Sequence, residues 1–532
     1  MRRWQFVLFS LGLAGLSLIS CSRGQKDEVA EQKKQIEEEK KVVLIRVGDR
    51  KITAREFRYI YEFSPGPFRL NPAPRDTILA YLIKERTLAL EGYRQGFNKS
   101  AYVQRRMKHR RYTDLLEAFY KKHVHARVHI PEAKLEDAIK KSTIKYRLRL
   151  WPTRTKKEAE KALAEARQIG FPEFIRRELQ KNEVPGLDEK RFETDWLDFL
   201  DIKPRIFRAI KDLEIGKLSD PIPYGKGYAI MQVIDLQREG IREDELKWGP
   251  RRKKMEERLH DIQADSIVHA LMDSLLTPMD IRVKGRVVEE LIPPLRSWLL
   301  HGLPRNVSLV DYVFHPDSST GYLDSLRALM NETLVTYKGG KKTVRDYIDY
   351  MDYWRTAVKS TVRGDLELFR NALITEIGRM MKNDMFVSIA EREGFLDSAE
   401  VADDLRFWEE KWTYEAYRFH LVDKIKISEE EMREWFKHHW RELPVADVDS
   451  TRFESYRSEV YNEILHKKQM AILNRELQKL KSRYPVWVNW AYLRKMHFTD
   501  DEGGRGISVF VRKRFTGKED FPTLDLNWLY VN

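Results

Sequence analysis

The chain has a single cysteine, Cys21, in 532 residues, so no internal disulfide can form. It has no Gly-rich phosphate loop, no Gly-x-Ser-x-Gly elbow and no His-Glu-x-x-His motif, which removes nucleotide-dependent, serine-hydrolase and zinc-protease chemistry from first consideration. A nucleic-acid-binding motif is also missing. The one apolar run near the start, residues 4–15, is too short and too early for a membrane-spanning helix. The only histidine cluster is His123, His125 and His129. Its i, i+2 spacing sends side chains to different helix faces and no cysteine is near, so no metal and no cofactor is expected.

What is present is a charged, globular composition. Hydrophobic residues make up 42% and charged residues 34%, with a formal charge of +14. Lys and Arg are interleaved with Asp and Glu along amphipathic stretches, the pattern of a solvated surface, with acidic partners or an anionic membrane next in order. The length suits roughly three or four domains of about 100 to 200 residues.

Arg2 and Arg3 precede the apolar run, and Leu18-Ile19-Ser20-Cys21 closes it. This is the layout of an export signal. The tetrapeptide resembles the bacterial lipobox, which implies acylation of Cys21 and cleavage before it; the alternative is an ordinary signal peptide with an incidental cysteine. Ser22 after the cysteine, where an aspartate can signal inner-membrane retention, leans to the outer membrane. Residues 21–41, rich in Lys, Glu and Gln, cannot bury a core and read as a tether.

Two stretches repeat each other. Residues 42–47 are a β-branched run, Gly48-Asp49 a turn, and Thr53-Ala54-Arg55-Glu56 a capping box opening a helix. Val335-Thr336-Tyr337, Gly339-Gly340 and Thr343-Val344-Arg345-Asp346 repeat that order. The agreement continues from Gly96 to Gly394 and from Ile130 to Ile427, 298 and 297 residues apart. Two copies of one helical arm follow from this register.

Only the first copy carries an insert. It contains Tyr146-Arg147-Leu148-Arg149-Leu150-Trp151, a charged helix over 156–169, Phe207-Arg208-Ala209-Ile210, Ile215-Gly216-Lys217-Leu218-Ser219-Asp220-Pro221 and Gly227-Tyr228-Ala229-Ile230. This order resembles a parvulin-type peptidyl-prolyl isomerase domain of the SurA and PrsA kind, and the capped-helix arms resemble the SurA chaperone domain. The resemblance implies an α+β, predominantly α fold: two SurA-like helical arms with one small α/β parvulin-like domain inserted in the first. The expected boundaries are 1–20 signal peptide, 21–41 tether, 42–140 first arm, 141–240 parvulin-like domain, 241–290 returning helix and strand of the first arm, 291–332 linker, 333–494 second arm without insert, and 495–532 tail. In the resembled family the helix and strand after the insert pack back on the first arm.

The resemblance also locates the chemistry. The family's first and last strands usually present histidines where this chain has Leu150 and Ala229. The amide barrier is about 18–20 kcal/mol, and lowering it takes a snug pocket with polar groups tuning the twisted bond. A leucine and an alanine line such a pocket without supplying the polar groups. The candidate pocket positions are Leu150, Asp195, Trp196, Phe207, Tyr228 and Ala229, and an isomerase of different pocket chemistry would use Asp195 and Tyr228. A client-binding patch is expected from the aromatic density at Phe407, Trp408, Trp412, Tyr414 and Tyr417. The expected function is an ATP-independent, lipid-anchored periplasmic chaperone for unfolded exported proteins, with little or no isomerase activity. An active peptidyl-prolyl cis-trans isomerase and an assembly-factor lipoprotein with one dedicated partner are the alternatives.

Overall fold

The computed structural model describes residues 34–498 and 521–530, apart from short segments at 70–72, 182–187, 241, 243–245, 247–248, 305–306, 318–319, 353–357 and 446. The signal peptide, Cys21, much of the tether, Tyr353, Trp354 and residues 499–520 of the tail lie outside the described residues. The fold is α+β and predominantly helical. It divides into two compact units, one made of the chain up to Lys121 together with the chain from Ser274 on, the other Lys122–Asp273.

In chain order, β1 (Val43–Val47) and β2 (Arg50–Thr53) form a hairpin, followed by helices α1 (Ala54–Phe63), α2 (Pro74–Arg94) and α3 (Ala101–His123). The second unit contains β3 (Ile144–Thr153), α4 (Lys156–Ile169), α5 (Phe171–Lys181), α6 (Pro204–Ile210), β4 (Ile222–Tyr224), β5 (Gly227–Arg238) and most of α7 (Pro250–Leu276). Then come β6 (Arg282–Val283), α8 (Gly285–His301), the hairpin β7 (Thr333–Tyr337) and β8 (Gly340–Thr343), and helices α9 (Val344–Met351), α10 (Leu366–Arg392) and α11 (Ala399–Val422). The chain ends with α12 (Arg457–Leu480), β9 (Val486–Val488) and α13 (Trp490–Lys495).

The local starts are built as the residues dictate. Thr53 Oγ1 accepts the Glu56 N–H at 3.1 Å, and in the repeat Thr343 and Asp346 complete a reciprocal capping box. Gly96 and Gly394 both end a long helix in the left-handed region, at φ 83° and 75°, where a side chain is strained. A short 3₁₀ turn and a serine follow each glycine, so α2–α3 and α10–α11 are the same device used twice.

The two copies do not close on themselves. A two-stranded hairpin is marginal in water and needs further strands or a packed face. Here β9, from the end of the second copy, pairs with β1, and β6, which follows the insert of the first copy, pairs with β7. The sheet orders are β2-β1-β9 and β6-β7-β8. The expected return of residues 281–283 to the first arm is therefore corrected: that strand completes the second hairpin. The helices exchange in the same sense. Tyr93 on α2 donates to Glu409 on α11 at 3.1 Å, and a Cβ on Gly92 would lie 2.9 Å from the Thr413 side chain, so α2 and α11 touch closely. In the other direction Phe119 on α3 stacks on Phe386 of α10 at 4.2 Å, and Tyr112 donates to Asp384 at 2.9 Å. Tyr102 with Glu415 and Arg110 with Asp404 run along α3 and α11 in opposite senses. The two copies are thus related by an approximate two-fold exchange inside one chain.

Two cores result. The first joins Phe57, Ile60, Tyr61, Leu82 and Leu88 to Tyr414, Tyr417, Leu473 and Leu480 of the second copy, and to Leu493, Phe498, Leu524 and Trp528. The tail, whose role the sequence leaves blank, puts Trp528 fully inside this core. The second core is covered by residues expected as a linker: Leu291, Ile292, Leu295 and Trp298 of α8, with Leu309, Leu323 and Leu326 beyond it. Pro293 and Pro294, in the stretch expected as a linker, both lie inside α8.

Glu376 is buried in the second core, 3.2 Å from Arg379. Burial pushes its carboxyl up to about 7 against the pull of Arg379. The folded state therefore holds a proton that the unfolded chain gives up near 4.5, so this contribution to stability is present at low pH and lost as pH rises through about 7. The melting temperature of Glu376→Gln should exceed that of the parent at pH 8 and match it at pH 4. The exchange makes a second prediction, read by circular dichroism of two fragments. Residues 122–273 fold alone, whereas residues 42–330, deprived of β9 and α11, do not.

Candidate functional site

The sheet of the second unit has the order β3-β5-β4 and is antiparallel throughout. Successive strand side chains alternate faces, so the register decides what the site contains. Leu150 lies opposite Met231 and Pro152 opposite Ala229, which makes Leu150 and Ala229 diagonal neighbours on adjacent strands. Both belong to one apolar cluster with Tyr146, Leu148, Met231 and Val233, against Ile206 and Ile210 of α6. Phe207 of α6 joins them, edge-on to Tyr146 at 5.8 Å and 6.0 Å from Phe199. Ala229 is fully buried and Leu150 half-buried.

The other candidates are elsewhere. Tyr228 points to the opposite face, where it packs with Trp151, Phe171, Phe174 and Ile230 against α4 and α5. Asp195 and Trp196 are exposed on the segment that bridges the outer edge of β3 through Glu193–Arg149 and Leu197–Tyr146. Six candidate positions thus divide into a converging set, Leu150, Phe207 and Ala229, and three that do not face it. The isomerase alternative built on Asp195 with Tyr228 finds those two groups on different surfaces. Tyr146 lies beside the converging set, and burial pushes its hydroxyl above the usual range.

The aromatic stretch of α11 is corrected by burial. Tyr414 and Tyr417 lie in the first core, at 0% and 2% exposure, and Trp408 is 7% exposed. Trp412 is half-buried, 5.0 Å from the Trp408 ring, and Phe407 leans on Phe521 at 5.3 Å. These five side chains do not form an open patch; of the aromatics in the stretch only Phe419 is largely exposed. The physical reason is the exchange: a helix flanked by α2 on one side and α3 and α12 on others needs apolar residues on several faces.

Sequence reasoning missed the buried ionic groups that α11 brings to α2. Glu410 binds Arg50 and lies 3.4 Å from Arg86, and Glu56 is 2.9 Å from Arg50 and 3.4 Å from Arg86. One residue on, Lys411 reaches Glu85 at 3.1 Å, and Glu85 accepts from the Asp525 N–H at 2.7 Å and from the Trp528 indole at 3.2 Å. Burial raises the Glu85 carboxyl against Lys411. A charge pattern Glu-Glu-Lys inside an aromatic helix is the only signal that could have disclosed this.

No protein-family model and no curated protein sequence matches the chain. Solved structures do. One of two SurA-like chaperones from Campylobacter jejuni aligns at 18% identity over 46% of this chain and 100% of its own, with a TM-score of 0.22. The peptidylprolyl isomerase PrsA of Bacillus anthracis aligns at 14% identity over 37% and 96%, TM-score 0.21. PrsA of Bacillus cereus aligns at 18% over 44% and 91%, TM-score 0.23. TM-scores this low carry no functional argument, which rests instead on the side chains themselves.

Two substitutions test the burial. Trp408→Ala should destabilise the chain by about 3–5 kcal/mol, as loss of a core aromatic does. Arg86→Met should cost a similar amount, about 3–5 kcal/mol, by leaving Glu56 and Glu410 under-compensated. Urea denaturation measures both, and a midpoint unchanged in Trp408→Ala would return that residue to the surface.

Proposed function

We propose that this protein is a lipid-anchored, ATP-independent chaperone that holds unfolded exported polypeptides, and that its parvulin-like unit binds chain without isomerising it. The observation that carries this reading is the face shared by Leu150, Phe207 and Ala229. The side chains at these three positions are hydrocarbon or phenyl, and they bring a prolyl amide no acid, base or nucleophile. Leu150 and Ala229, where the resembled family usually has histidine, are diagonal neighbours on this face, which supports a unit without that family's polar network. The exported location and the anchor rest on Arg2, Arg3, the apolar run and Cys21. Two or more acyl chains on Cys21 would hold the chain on a membrane, since each buried methylene contributes about 0.8 kcal/mol. The outer membrane is favoured by Ser22 after the cysteine.

Phe419 and the exposed Trp196, Ile215 and Tyr224 are apolar groups available to an extended client. Backbone hydrogen bonding and apolar contact would supply the affinity, with no nucleotide and no cofactor.

The test has two readouts on the chain from Cys21 onward. Suppression of aggregation should extend to several unrelated unfolded outer-membrane and secreted polypeptides, with binding in the micromolar range or tighter. The cis-trans rate of a proline-containing peptide should stay at its uncatalysed value. Acceleration of that rate would establish an isomerase with other pocket chemistry, and binding to one polypeptide alone would favour a dedicated assembly partner.

A further inference from the structure

We infer that the solvent face of the sheet β2-β1-β9, with α13 beside it, is a membrane-contact surface that lies on anionic lipid headgroups. The register sets Lys51, Arg46 and Trp487 side by side across the three strands. All three are exposed, and the Arg46 guanidinium sits 5.5 Å from the centre of the Trp487 ring. Trp487 and Trp490 are 49% and 47% exposed. On α13, Leu493 and Met496 beyond it enter the first core, which leaves Trp490, Arg494 and Lys495 outward. Tryptophans flanked by lysine and arginine are the side chains that settle at the headgroup level of a bilayer. Glu37, Glu38 and Asp49 are the exposed acidic groups of the neighbouring helix and turn; Lys40 and Lys41 add to the cations there.

The repeat provides an internal control. The second sheet builds the same strand and helix start, with Arg282 opposite Thr336 as Trp487 is opposite Arg46. At the positions of Trp487 and Trp490 it has Arg282 and Gly285. The fold therefore does not require tryptophan at either position. These two large apolar side chains are left in water beside one sheet only.

That sheet is the one to which the N-terminal side of the chain leads. The described chain begins with a helix over residues 34–41, and Glu39 of that helix is buried, held by Arg58 at 2.6 Å. Arg58 also donates to the His497 carbonyl at 2.6 Å, just past α13. The thirteen residues from Cys21 to Lys34 reach at most about 45 Å at 3.3–3.6 Å each, so an acylated Cys21 keeps this face close to the bilayer. The inference rests on the reading of Cys21 as the anchor.

The experiment uses the full protein recovered with its N-terminal modification and added to vesicles of phosphatidylethanolamine and phosphatidylglycerol whose acyl chains carry bromine. Flotation with the vesicles reports the anchor. Quenching of tryptophan emission reports the patch. The parent should float and lose emission. The double variant Trp487→Phe/Trp490→Phe should float equally, melt at the same temperature and show most of that loss abolished, and omitting phosphatidylglycerol should weaken the parent's quenching. Equal quenching in parent and variant, or none in a parent that floats, overturns the patch while leaving the anchor. A parent that does not float overturns the anchor and the inference with it. Should the variant instead lose affinity for unfolded polypeptide, with no quenching in the parent, the face belongs to clients and not to lipid.

Discussion

Neither hairpin of this chain is completed by its own repeat. Each consists of two short strands, and each gains its third strand from the other copy, β9 for the first and β6 for the second. Since isolated hairpins are marginal, neither arm is stable until both copies have been made. The helices obey the same rule, with α11 laid on α2 and α3 laid on α10. The burial of the aromatic helix and the capture of Trp528 by Glu85 depend on this closure.

Charge explains why closure takes this direction. In the exchanged arrangement Glu410 meets Arg50 and Arg86. The repeat register carries Arg86 onto Asp384 and Glu410 onto Tyr112, and there Tyr112 donates to Asp384 while Lys342 pairs with it at 2.7 Å. Closing the second copy on itself would set Glu410 against Asp384, two carboxylates in a poorly solvated place. Buried ion pairs are weak sources of net stability, yet they discriminate between partners strongly because a mismatched charge is left uncompensated. The two interfaces use one geometry and different side chains, and that difference sorts the helices.

The second unit stands in contrast, because its architecture is local. Its sheet, the two helices on one face and α6 on the other come from one continuous stretch. The apolar character of the face around Leu150 and Ala229 follows from strand alternation alone, and so does the exclusion of Tyr228 from it.

How much of this could be read in the residues follows from the range of the interactions. The capping threonines at 53 and 343, the glycines at 96 and 394, and the order of the elements in the insert are set within a few residues of themselves, and each was legible. The cap at Thr53 already departs from the pattern, because Arg50 draws off the Glu56 carboxylate that the reciprocal half of a capping box would use. The misreadings all concern long-range partners. The aromatic run of α11 looked like a surface because one helix rarely has apolar neighbours on so many sides, and the prolines of α8 looked like a linker because their helix is held by a core assembled elsewhere in the chain. The sequence by itself determined the repeat, the fold class and the histidine-free strands, since these depend on periodicity and identity. Only the tertiary structure decided which strand completes which hairpin, because two equivalent β strands of nearly interchangeable pattern compete for each edge, and the choice falls to buried charges hundreds of residues apart.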